Sequence, residues 1–525
     1  TAITESPLVE GLLYVGTDDG RIQISEDAGA TWRVVESLPG LPELSFFNDL
    51  EASLHDPDTV YAVADAHKIG DFRPFVFKST DRGRTWRSIS GDLPAGGIVW
   101  ALEQDHIDPH LFFAGTEFGL FFSPDHGERW IELTGGVPTI SFRDLALQRR
   151  ENDVVGATFG RGFYILDDYS PLRGIADGVL DHESTVFPVR DARSYIPLAP
   201  GQAKGIPSLG STEFVAPNPP FGALITYHLS AAPKTAKETR SEREKGLDEQ
   251  DQNVPFPGWE TLRTESLEDK PKVLLTIVDA AGAAVRRLEM PAKPGIQRAA
   301  WDLRLPPPNP VNLEVPGFRP PWAGDAQGPL APPGTYRVEM AVVSAAGVEP
   351  LGDPQTFEVR PLPTSFFPAP DYAEIASYQK QTRELMRVAM GAARELGRAE
   401  DRLPYLRKAL ADTPQASPEL FATLDRLTEE LAQIRLRLSG DRIRGRWEEP
   451  AVPSVLGRIW RAGGNWDSRQ APTVTQEDNL RIATDQFADL KSDLTTMLRT
   501  TLPAFEAELE AAGAPWTPGR ELPME

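Results

Sequence analysis

The stretch Ser25 to Trp32 reads Ser-Glu-Asp-Ala-Gly-Ala-Thr-Trp, and it returns twice. Ser79 to Trp86 is Ser-Thr-Asp-Arg-Gly-Arg-Thr-Trp, and Ser123 to Trp130 is Ser-Pro-Asp-His-Gly-Glu-Arg-Trp. A spaced internal repeat constrains architecture more than any local propensity does. Each copy reads as a hairpin turn. Ser25, Asp27, Ser79, Asp81, Ser123 and Asp125 cap turn amides, and Gly29, Gly83 and Gly127 supply positive φ. Trp32, Trp86 and Trp130 are expected to pack the returning strand into the core. Asp27 and Asp81 are 54 residues apart, and Asp81 and Asp125 are 44 apart. That is the length of one four-stranded propeller blade.

Strand signals fill the intervals. Leu12 to Gly20 leads to Ile22-Gln23-Ile24, Thr59 to Asp65 leads to Phe75 to Lys78, and Leu111 to Glu117 leads to Leu120-Phe121-Phe122. A fourth unit, Val154 to Gly162 and then Phe163 to Asp168, lacks the Ser-x-Asp turn. Residues 1–172 therefore read as about four blades, the lower limit for a ring. The chain begins at Thr1 without a signal peptide, which reads as a processed product or fragment. Further blades are expected on a removed part of the precursor or on a second chain.

The repeat resembles the Asp-box, or BNR repeat, of sialidases, xyloglucanases and sortilin-type receptors. Tyr14 to Gly20, Ala157 to Gly162 and Ile165 to Asp168 resemble the closing blades of large bacterial sortilin-like, glycosyl hydrolase BNR-repeat proteins. That resemblance implies a many-bladed propeller followed by a β-sandwich and a helical tail, and covers the whole chain. It implies little about activity, because the Asp-box hairpin is structural.

Beyond Pro171 the periodicity changes. Residues 173–207 read as a Pro- and Gly-rich linker crossing the propeller. Residues 208–362 carry the strand signals Ala223–Leu229, Val273–Val278, Ala284–Leu288, Gln297–Leu303, Gly334–Met340 and Thr356–Val359, an immunoglobulin-like β-sandwich. Its insert at 234–272 is rich in Glu, Lys, Arg and Asp and reads as a solvated loop, or as a processing or docking segment. Residues 363–525 read as a helical bundle. One helix is capped by Asp371, a second starts at Ser417-Pro418, and a third starts near Thr475 and Asp478. The stretch from Gly445 to Pro472 is a connection expected to bury Trp447, Trp460 and Trp466. The fold class is thus mainly β with an α-helical tail.

Composition excludes several functions. With no cysteine there is no disulfide, thiol nucleophile or thiolate metal site. A formal charge of -23 argues against nucleic acid and anionic membrane surfaces as partners. No run approaches the roughly 18 apolar residues of a membrane helix. Walker, Gly-x-Ser-x-Gly and dinucleotide motifs are missing, and His106 and His110 flank a turn rather than a helix face. No cofactor is expected beyond structural calcium, for which no Asp-x-Asp-x-Asp-Gly loop is present.

Asp18, Asp19, Asp65 and Glu117 follow the same strand of successive blades, so they should share one rim. They are candidate acid/base or sugar-binding carboxylates and, equally, ordinary turn residues. Asp49, Glu51 and Asp144 add ligand-binding candidates near inner-strand ends, beside Asp105 and Asp108. Arg161, between two glycines, could meet an anionic ligand or pair with Asp167 or Asp168. The string Ser141-Phe142-Arg143-Asp144 lacks the Ile-Pro of a sialidase motif. The preferred reading is an extracytoplasmic bacterial protein that binds a protein, peptide or glycan. An Asp-box glycoside hydrolase and a subunit of a surface assembly are the alternatives.

Overall fold

The computed structural model describes residues 1–197, 212, 215–314, 318, 324–362, 370–463, 466 and 469–522. The first part is four antiparallel sheets in sequence order. Sheet one holds β1 (Ala2–Glu5), β2 (Leu13–Gly16), β3 (Ile22–Ser25) and β4 (Arg33–Val35). Sheet two holds β5 (Phe46–Ala52), β6 (Val60–Ala66), β7 (Asp71–Ser79) and β8 (Arg87–Ser88). Sheet three holds β9 (Val99–Gln104), β10 (Phe112–Thr116), β11 (Gly119–Ser123) and β12 (Ile131–Glu132). Sheet four has three strands, β13 (Phe142–Gln148), β14 (Asp153–Thr158) and β15 (Phe163–Leu166). The first strand of each sheet packs beside the first strand of the next, β1 on β5, β5 on β9 and β9 on β13. These are blades of a partial β-propeller.

The repeated turns have one geometry. Ser79 Oγ donates to Asp81 Oδ1 at 2.8 Å and accepts the Gly83 N–H at 2.8 Å, while Asp81 Oδ1 takes the Thr85 N–H. Ser25–Asp27 and Ser123–Asp125 repeat this arrangement. The residues Ala28, Arg82 and His126 adopt positive φ beside their glycines, a conformation paid for by these side-chain caps. The tryptophans differ from expectation. Trp130 is buried against blade two and donates to the Ile89 carbonyl, whereas Trp32 is 42% exposed.

The second part is a sandwich of a three-stranded and a five-stranded sheet. Two short strands, β16 (Ser184–Val186) and β17 (Ala192–Ser194), lie where a linker was expected. After them come β18 (Ala223–Leu229), β19 (Lys272–Asp279), β20 (Ala284–Pro291), β21 (Gly295–Trp301), β22 (Gly334–Ser344) and β23 (Gly347–Pro361). β16 pairs with β18 and β17 runs parallel to β23, so the sandwich recruits the connection. Residues 198–207 of the expected linker lie outside the described residues. Trp301 is fully buried, donates to the Arg304 carbonyl and meets Tyr336 and Phe357 edge-on. Arg298 docks the sandwich on blade four by donating to the carbonyls of Asp167, at 2.5 Å, and Asp168.

The charged insert is not a loop over most of its length. It forms α1 (Ala236–Asp248) and α2 (Trp259–Leu267). Thr235 and Glu238 make a reciprocal capping box, and Arg240 bridges Glu244 and Glu265 at 2.7 Å each. The tail contains α3 (Tyr372–Ala411), α4 (Glu419–Ser439), α5 (Arg442–Arg446), α6 (Val455–Gly463), α7 (Val474–Thr496) and α8 (Leu502–Ala511) around one leucine-rich core. Asp371 caps α3 as expected. The cap of α7 is Thr473 with Gln476, not Thr475 with Asp478. Trp447 and Trp460 are 76% and 53% exposed, so of the three tryptophans only Trp466 packs on the core.

Candidate functional site

The turn after the second strand of each blade and the start of each first strand meet at one end of the blades. Asp18 and Asp19 lie on the turn after β2, Asp65 is the last residue but one of β6, Glu117 follows β10, and Arg161 lies on the turn after β14. Their environments differ.

Asp18 is exposed. Asp19 accepts the Thr17 hydroxyl and faces Arg21 at 3.7 Å, and the Thr17 bond holds its carboxyl below the usual range. Arg21 also pairs with Glu36 at 3.0 Å. A cavity of about 520 Å³ opens here, with Asp19, Arg21, Glu36 and Glu43 among its walls. Asp65 is buried and committed inward, taking the His67 backbone N–H at 3.2 Å and contacting its ring Nδ1. Arg161 is exposed, and Asp167 and Asp168 are engaged by Arg190 and Arg298 instead. The expected internal pair with Arg161 does not form.

Glu117 organises the densest part of the rim. One carboxylate oxygen accepts Trp100 Nε1 at 2.8 Å, Ser141 Oγ at 3.1 Å and Arg143 Nη2 at 3.3 Å. The Arg143 guanidinium lies 3.6 Å from the centre of the Trp100 ring and 5.4 Å from that of Phe159. His67 meets Trp100 edge-on at 6.0 Å, and Lys68 sits 3.7 Å over Phe46. Phe118 and Phe159 stand exposed beside this group. Trp100 and Phe118 were not singled out from sequence, Arg143 was weighed only within the sialidase-like string, and Phe159 only within the family resemblance. Their signal is positional, since Phe118 and Phe159 directly follow the strand ends that carry Glu117 and Thr158.

A second set of carboxylates lies on the first strands, Asp49 in the middle of β5, Glu51 near its end and Asp144 near the start of β13. Asp49 accepts the Leu102 N–H at 2.9 Å and Glu51 the Gln104 N–H at 3.0 Å, tying β5 to β9. Burial, then the mutual repulsion of these acids, pushes Glu51 well above its ordinary value and Glu103 up to about 7. Asp49 is raised by burial as well. Asp144 is exposed on β13. Among the described residues no group of three or more His, Cys, Asp or Glu is arranged to hold a metal ion.

Chemically, the rim offers aromatic faces, a stacked guanidinium and hydrogen-bonding groups, the set that recognises sugar rings and peptide segments. Its carboxylates at Asp65 and Glu117 already serve as acceptors for neighbouring donors.

No protein-family model matches the chain. Over 214 residues it is 25% identical to the xyloglucanase Xgh74A of Acetivibrio thermocellus, and 24% identical to Xgh74A of Acetivibrio thermocellus strain ATCC 27405. The match takes in 37% of this chain and 25% of each relative, so the chain spans about a quarter of the curated relatives' length. Among solved structures, the GH74 xyloglucanase of Xanthomonas campestris matches at 20% identity, with a TM-score of 0.26 over 33% of this chain and 29% of that one. YCF48 from Cyanidioschyzon merolae matches at 19% identity, with a TM-score of 0.24 over 31% and 52%. The strand pairing described above, rather than these likenesses, carries the fold.

Proposed function

We propose that this chain is the blade-bearing part of an extracytoplasmic bacterial binding or scaffold protein, whose rim around Glu117 recognises a glycan, peptide or protein. One observation carries the reading. The Arg143 guanidinium lies within cation–π range of both Trp100 and Phe159, with its charge balanced by Glu117, which orders this aromatic group in advance of any ligand. Asp65 and Glu117, tied to their neighbours, serve as structural acceptors in this reading. The sandwich and helical tail brace the blades, and further blades complete the ring.

The second reading, a glycoside hydrolase, is favoured by the similarity to a xyloglucanase. It requires two carboxylates flanking the scissile bond, for which Asp18, Asp19 and Glu117 are the rim candidates.

Isothermal titration with xyloglucan and cello-oligosaccharides, paired with a reducing-sugar assay, separates the two. Saturable binding without sugar release, weakened in Trp100→Ala, supports the binding reading. Sugar release abolished in Glu117→Gln or Asp19→Asn overturns it in favour of hydrolysis. If these glycans neither bind nor react, the glycan branch falls and peptide or protein ligands remain for the same rim.

A further inference from the structure

One stretch of the helical tail displays apolar side chains from an ordered turn. From Asp441 to Pro450 the chain forms α5 and then folds back, held by its own hydrogen bonds. Asp441 caps the Ile443 and Arg444 N–H groups at 2.9 and 3.0 Å. The Glu449 N–H returns to the Arg444 carbonyl at 3.1 Å, and Arg444 Nη1 donates to the Pro450 carbonyl at 3.2 Å. Glu448 sits at φ +54°, a left-handed conformation that a non-glycine residue keeps only where its surroundings impose it. Ile443 and Trp447 are nevertheless 75% and 76% exposed, and Val452 is 84% exposed just beyond them. An ordered turn that holds such apolar area in water, rimmed by charges, marks a contact surface.

The same surface opens into a cavity of about 470 Å³ between α4, α5, residues 451–455 and α7. Leu436, Val452, Pro453 and Val455 give it apolar walls, and Asp489 of α7 stands among them. That volume is of the size that takes an aromatic anchor. Both signs of charge surround it. Arg442 and Arg446 are exposed on α5, and Asp485 and Asp489 are exposed on α7, four apart and so on one helix face. Glu448 and Glu449 follow the tryptophan, and Arg437 is a cation of the cavity wall. The tail meets the sandwich side of the molecule through Arg383 and Arg469, which donate to the Pro306 and Ser194 carbonyls and leave this surface open.

We infer that this surface is a two-fold interface with a second copy of the chain, in which Trp447 of each copy enters the cavity of the other. Knob and cavity lie side by side on one patch, the self-complementarity that an isologous pair requires. The charges agree with that pairing. Arg442 and Arg446 of one copy meet Asp485 and Asp489 of the other, and Glu448 and Glu449 meet Arg437. Two chains of charge -23 repel at a distance, but at about 0.1 M salt that repulsion is screened beyond about 10 Å, so the patch decides the contact. Under the binding reading above, the pair presents two rims and holds a repetitive ligand at both. The interface itself does not depend on that reading.

Sedimentation velocity and light scattering of the full chain at physiological salt, over a wide range of concentration, test this. The mass should rise to twice the 57.7 kDa of one chain. Trp447→Ala and Arg446→Glu should each weaken the pair at least about tenfold, as loss of a central anchor does. Their circular dichroism should match the wild type, because both side chains stand in water in the single chain. Arg446→Glu combined with Asp489→Arg should restore the pair, since both halves of the interface then carry the reversed charges. A chain that stays monomeric throughout overturns the inference. So does a dimer that Trp447→Ala and Arg446→Glu leave intact, and so does a double reversal that fails to restore pairing. None of these variants touches the Glu117 rim, so failure of glycan or peptide binding leaves this outcome unchanged.

Discussion

Arg173 grips Asp105 with two parallel hydrogen bonds, Nε at 2.7 Å and Nη2 at 2.9 Å. Tyr169 donates its hydroxyl to the same buried carboxylate at 2.6 Å. The segment that leaves blade four is thereby clamped to blade three, and the exit path toward the sandwich is fixed.

Breaking that clamp from one side should be costly. Arg173→Met leaves Asp105 buried with one main partner fewer, and removing one member of such a pair costs about 3–5 kcal/mol. Thermal denaturation should show a lower Tm. Burial works against the Asp105 charge, but Arg173 and Tyr169 outweigh it and hold the carboxyl below its ordinary value. The contribution of the clamp is therefore present above the unfolded carboxylate range and fades as pH falls below it. An acid-unfolding midpoint that does not move in Arg173→Met would contradict this.

Glu103 predicts the opposite slope at higher pH. Its folded value, about 7, lies above the ordinary 4.5, so the folded state holds that proton more tightly than the unfolded chain. Stability should fall as pH rises from about 5 to 8. Glu103→Gln should flatten that slope and gain on the order of 1–3 kcal/mol at pH 8. Urea melts of both proteins at pH 5 and pH 8 check it. A wild-type protein more stable at pH 8 than at pH 5 would refute the assignment.

Equivalent tryptophans should differ in worth. Trp130→Ala opens a cavity at a closed junction and should cost about 3–5 kcal/mol. Trp32→Ala removes a half-exposed ring and should cost about 1 kcal/mol. Equal losses in chemical denaturation would mean that position in the array does not set burial.

At the rim, Trp100→Ala removes the platform under Arg143. Ligand affinity should drop about 5- to 30-fold, corresponding to 1–2 kcal/mol of cation–π and stacking energy. Trp100 is half-buried at the rim whereas Trp130 is buried in a junction core, so Tm should change far less than in Trp130→Ala. Loss of folding in Trp100→Ala would make the ring a structural element instead.

The β-propeller repeat, the sandwich strands and the Asp371 cap were legible because each depends on residues close in sequence. The errors have a common cause in pairing across distance. Thr473 and Thr475 both suit an N-cap, and only the Gln476 side chain, folded back on Thr473, decides between them. β16 and β17 have three residues each, too few for a periodic signal, and exist because β18 and β23 offer them edges. The acidic and basic residues of the insert looked solvated by composition. Thr235-x-x-Glu238 was nevertheless a readable helix start, and Arg240 finds Glu265 only after the chain turns back. Carboxylates on the rim were placed at the correct strand ends by repeat symmetry. Their partners were not, because Trp100, Ser141 and Arg143 reach Glu117 from two other first strands or their approaches.

Trp86 and Trp130 seat in the blade before theirs, and Leu50, Leu102 and Leu145 are covered from the same side. The array is consequently polar, like a stack of cups, with a plug on one face of every unit and a socket on the other. Because these junction contacts run between neighbouring blades, their energetics are those of a one-dimensional chain of couplings. A whole repeat can be duplicated or removed while the junction type stays the same, whereas a cut inside a repeat leaves a plug without its socket.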